Sequence, residues 1–103
     1  MLRDDGFDAQ VRELRTAILD QPGHLDDARR REAWDGTSSE PQLAAFCAKV
    51  AARAYTVTDE DVARLRQAGY SEDQIFEATI CAAVGAGLTR LEQGLAALEG
   101  AGQ

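Results

Sequence analysis

The stretch SEDQIFEATICAAVGAGLTRLEQGLAAL, Ser71 to Leu98, decides the fold class. Ser71 is an N-cap residue, Glu72 and Asp73 place negative charge in a first turn, and Gln74 stands where a capping box needs a side chain to reach back. No proline interrupts the residues beyond this cap. Phe76, Ile80, Val84, Leu88, Leu91, Leu95 and Leu98 recur at three and four residues, so they form one apolar stripe along a helix. Beside the stripe lies a surface of small residues: Ala78, Ala82, Ala83, Gly85, Ala86 and Gly87. Glycines in mid-helix cost roughly 1 kcal/mol each, so Gly85 and Gly87 imply close helix–helix approach or a kink that opens a pocket.

Upstream, the same grammar repeats. Thr58 caps a helix whose first turn is Asp59-Glu60-Asp61, with Val62 and Leu65 facing inward and Gly69 as its stop. Ser39, Glu40, Pro41 and Gln42 read as the capped start of a third helix with the apolar face Leu43, Phe46, Cys47, Val50 and Ala54. Near the start, Phe7, Val11, Leu14 and Ile18 mark a first helix, which Gln21-Pro22-Gly23 ends. A short, highly charged second helix spans about Leu25 to Trp34, and Gly36 to Ser39 is the linker behind it. Strand signals and internal repeats are missing. The expectation is a single all-α domain over residues 1–103, with a helical pair in 1–36 and a core in 39–98.

At 103 residues and a net charge of −7, the chain has the size and balance of one globular domain. The charge is spread, −3 over residues 1–36 and −4 over the rest. Binding to nucleic acid or to anionic membranes needs a cationic surface, so neither is expected as a partner. Met1 to Asp8 does not read as a leader, and no apolar run reaches the roughly 20 residues that cross a bilayer. Cys47 and Cys81 fit neither a zinc pattern nor a disulfide framework, so a reducing cytoplasm is the expected compartment. No cofactor or metal is implied. His24, at a turn beside Asp26 and Asp27, lacks further ligands at helical spacing, and Asp59 to Asp61 lack the alternation of a calcium loop.

Thr58-Asp-Glu-Asp-Val, then Leu65-Arg-Gln-Ala-Gly-Tyr-Ser-Glu-Asp-Gln-Ile-Phe-Glu-Ala78, then an alanine-rich helix, resembles the AhpD-like (carboxymuconolactone decarboxylase) family. The match runs from about Gln42 to Leu98, a little over half the chain. It implies an AhpD-like helical fold that assembles with copies of itself. Catalytic members carry Cys-x-x-Cys-x-x-x-His before the Ala-Gly stop, with an upstream glutamate. Carried onto this chain, the cysteines fall at Ala54 and Val57, the histidine at Asp61 and the glutamate near Gln42, so every position departs. No peroxidase residue carries over. The decarboxylase branch relies on histidines, and His24, the only one here, lies outside the matched region.

Three residues remain as candidates for chemistry. Glu77 falls within the apolar stripe, where an unpaired carboxylate costs several kcal/mol, so it must be paired, protonated or lining a cavity. Arg90, at the stripe's margin, is the expected partner, in the same subunit or a neighbouring one, with Arg53 as another. Cys81 lies one turn after Glu77, which could take its proton; the alternative is a thiol packed in the core, and the same holds for Cys47. The expected function is a homo-oligomeric binding or assembly module without peroxidase activity. The alternatives are an enzyme with replaced chemistry on Glu77 with Arg90 or Cys81, with a small molecule as a further partner, and thiol redox activity through Cys47 and Cys81.

Overall fold

Capping decides where the helices begin. In a computed structural model, which describes residues 5–20 and 22–101, the chain forms α1 (Asp5–Leu19), α2 (Asp27–Asp35), α3 (Pro41–Arg53), α4 (Asp59–Gln67) and α5 (Glu72–Ala101). A single 3-10 turn, Ala54–Thr56, follows α3, and the described residues include no strand. Thr58 and Asp61 close the capping box of α4. Ser71 and Gln74 close that of α5, the Ser71 amide donating to Gln74 Oε1 at 2.9 Å and the Gln74 amide to Ser71 Oγ at 3.1 Å. α2 begins two residues later than its composition suggests, because Asp26 supplies the cap by accepting from the Arg29 amide. The cap of α3 also moves. Glu40 rather than Ser39 accepts from the Leu43 amide, and Pro41 takes the first helical position. Gly36 and Gly69 end α2 and α4 in the left-handed region, at φ 74° and 105°. The side chain of Phe7 and residue Gln21, part of the first-helix reading, lie outside the described residues.

The core forms where α2 and α3 pack on the first half of α5. Leu19, Leu25, Leu43, Phe46, Val50 and Leu65 surround Ile75, Ala78, Cys81 and Ala82. That arrangement corrects the reading of α5. The large residues of its stripe are not the buried face: Phe76 is 64% exposed, Leu91 44% and Leu98 60%. The small-residue side packs instead, because α2 comes too close for anything larger. A Cβ on Gly85 would overlap the carbonyl oxygen of Trp34 and stand 3.0 Å from that residue's C and Cα. Gly87, two residues on, has nothing within 4 Å of its Cβ position. Thirty residues of helix extend about 45 Å. α5 is therefore most of the 51 Å long axis of the molecule. Among the described residues no helix is long and apolar enough to cross a membrane.

Candidate functional site

Glu77 does not meet Arg90. The two are thirteen residues apart on one continuous helix, about 20 Å by helical rise. Arg90 donates through Nη2 to the carbonyl of Ala51, in the last turn of α3. That carbonyl is one of the acceptors a helix end leaves without an internal partner, so the arginine ties the end of α3 to α5. Glu77 lies half-buried at the other end of α5 and faces the turn that leads into α2. Its carboxylate accepts the His24 amide at 3.0 and 2.9 Å on its two oxygens and the Leu25 amide at 2.8 Å. One turn earlier, Gln74 Nε2 donates to the His24 carbonyl at 3.1 Å. The start of α5 thus clamps the backbone of residues 24 and 25 from both its donor and acceptor sides. The expected Glu77–Arg90 pair is replaced by a carboxylate that takes backbone N–H groups.

Gly23 makes this clamp possible by its size. Its backbone does not adopt a positive φ. A Cβ there would overlap Glu77 Oε1 and stand 2.8 Å from Arg30 Nη1. Beside the clamp is a cleft of about 210 Å3, lined by Ala17, Ile18, Pro22, Arg30, Glu77, Ile80 and Cys81. Arg30, only 4% exposed, pairs with Asp27. Glu77 and Cys81 therefore share a cleft, as their one-turn spacing implies, with both Glu77 oxygens taken by backbone amides. Burial is the first cause that pushes the Cys81 thiol above its ordinary pKa, and the Glu77 charge adds to the rise against the Arg30 charge. Cys47 rises to about 11, through burial first and then the charge of Cys81. Both are free and buried in one cluster. An attacking cysteine needs a lowered pKa, whereas both of these are raised. His24 Nε2 lies 3.6 Å from Asp73, both exposed. Among the described residues no group of three or more His, Cys, Asp or Glu side chains is placed to hold a metal.

A second constellation escaped the sequence reading. Asp61, 9% exposed, is more than the dipole complement of α4. Its Oδ2 accepts Lys49 Nζ at 2.7 Å and the Thr58 amide at 2.8 Å, while Oδ1 accepts Arg64 Nη1 at 3.2 Å. Lys49, Asp61 and Arg64 border a cleft of about 340 Å3 between α3 and α4, together with Pro41, Gln42, Ala45, Phe46 and Leu65. Lys49 is the only lysine of the chain. The Lys49 hydrogen bond, followed by that of the Thr58 amide, lowers the Asp61 pKa from 3.8 to about 2. The sign follows from linkage: a folded-state pKa below the unfolded one contributes stability that is complete above 3.8 and lost as pH falls through about 2. Carboxyl NMR should show Asp61 still ionised between 3.8 and about 2, and Asp61→Asn should flatten the dependence of unfolding free energy on pH across that window.

No family of known proteins, no curated protein and no solved structure matches this chain.

Proposed function

We propose that the chain is a self-associating helical module of the AhpD-like type, acting in binding or assembly and without the peroxidase chemistry of that family's catalytic members. The observation that supports it is the second half of α5. There Leu88, Leu91, Leu95 and Leu98 follow one another at three and four residues, the spacing of a helix seam, yet Leu91 and Leu98 are 44% and 60% exposed. Scattered exposed leucines are ordinary, whereas a row of them on one face of one helix is a surface that gains by being covered. A chain of this length also buries a smaller share of its surface than a larger domain, so association adds what its own core cannot.

The enzyme reading has less to stand on. Glu77 has both oxygens on backbone amides, Arg90 donates to a helix-end carbonyl, and the two thiols are buried with their pKa pushed up. Family membership itself rests on Thr58 to Ala78 and the helix that follows. Light scattering at tens of micromolar should give at least twice the 11.1 kDa chain mass. Leu91→Glu/Leu98→Glu should return it to one chain while leaving helicity unchanged. A wild-type protein that runs as a monomer at that concentration defeats the proposal.

A further inference from the structure

The cleft between α3 and α4 has the construction of a small-molecule site. Its volume of about 340 Å3 lies in the range of such sites, roughly 300–1,000 Å3. Two almost fully buried side chains, Phe46 and Leu65, give it apolar walls. Lys49 and Arg64 bring an ammonium and a guanidinium to its rim, paired with the carboxylate of Asp61 and, for Arg64, also with that of Glu60. Long cationic side chains normally lose rotamer freedom when they engage a ligand. Here Asp61, itself nine-tenths buried, already holds both. It occupies one ammonium N–H and one guanidinium N–H, of three and five respectively. The other charge near Arg64 is Glu60, whose Oε2 lies 3.9 Å from Nη2, longer than a hydrogen bond. Donors therefore remain for an oxyanion.

We propose that this cleft binds a small organic anion, its oxyanion head on Lys49 and Arg64 and its apolar body against Phe46 and Leu65. A planar guanidinium beside an ammonium suits the oxygens of a carboxylate or of a phosphate monoester, and the apolar walls select against the bare inorganic ion.

The test is an amide NMR titration of the full chain with hexanoate, hexyl phosphate, hexylammonium and hexanol. At least one anion should shift the amides of Ala45, Phe46, Lys49 and Leu65 saturably. Hexanoate alone or hexyl phosphate alone identifies the head group. Arg64→Gln should weaken that anion about tenfold or more, the loss of one charge-assisted contact. The Arg64 side chain is 64% exposed, so its replacement leaves the fold standing. Ala45→Phe, which fills the cleft from an exposed position and keeps every charge, should abolish binding. Hexylammonium or hexanol binding as tightly as the anions overturns the proposal. So does an anion that binds Arg64→Gln or Ala45→Phe unchanged, or an absence of saturable shifts with either anion.

Discussion

Gly85→Ala is expected to destabilise the protein by about 3 kcal/mol or more, at the upper end of what an added methyl group does in a packed interior. The reason is what the methyl group would meet. The overlapping atom is the main-chain oxygen of Trp34, with the C and Cα of the same residue at 3.0 Å, so no side chain can rotate away. Relief requires α2 to move off α5. That would open the contact on which Ala33, Ala78, Cys81 and Ala82 are buried. Against this, alanine is the better helix former by up to about 1 kcal/mol, a gain too small to offset the clash. Gly87→Ala isolates that gain, because its Cβ would have nothing within 4 Å. It should stabilise by about 0.5–1 kcal/mol. Urea unfolding of the two variants beside the wild type reads both effects, and the explanation fails if Gly85→Ala is as stable as Gly87→Ala.

The same pair shows what the sequence could and could not carry. Helix starts were legible where a capping side chain stands clear in the sequence, as with Thr58, and with Ser71 and the Gln74 three residues beyond it; that Asp61 closes the box of Thr58 was not. At α3 the neighbouring residue won, because Glu40 reaches the Leu43 amide while Pro41 presets the first helical turn. The buried face of α5 was not legible from hydrophobicity. This helix is apolar around much of its circumference, so size rather than hydrophobicity selects the face. α2 approaches over Gly85 and leaves Phe76 outside. Charges were harder still. Glu77 stood out as misplaced, yet its partners are the amides of residues 24 and 25, and backbone groups have no signature in sequence. Lys49 and Asp61, twelve residues apart on two helices, come together only through the turn at Ala54–Thr56, which periodicity does not foresee.

Glu77→Gln should cost about 2–3 kcal/mol, the range for losing hydrogen bonds to a charged acceptor in a partly buried site. The carboxylate presents two oxygens to N–H groups, Oε1 to His24 and Oε2 to His24 and Leu25. A glutamine oxygen at the Oε2 position can still take both amides, but the negative charge they shared is lost and an NH2 stands at the Oε1 position, 3.0 Å from the His24 nitrogen, donor against donor. The turn cannot easily relax to accommodate it, since Gly23 already packs against Glu77 Oε1 and Arg30. The effect should reach α2, because the clamped residues His24 and Leu25 immediately precede its cap at Asp26. Amide exchange should accelerate at Leu25 and through the first turn of α2 more than in α3 or α4. Arg90→Met acts elsewhere, by releasing the Ala51 carbonyl, and should cost about 1 kcal/mol. In a double-mutant cycle by chemical denaturation the two effects should therefore add to within about 0.5 kcal/mol, as independent sites do. A coupling well above that would restore a direct Glu77–Arg90 interaction, across subunits, in place of the clamp.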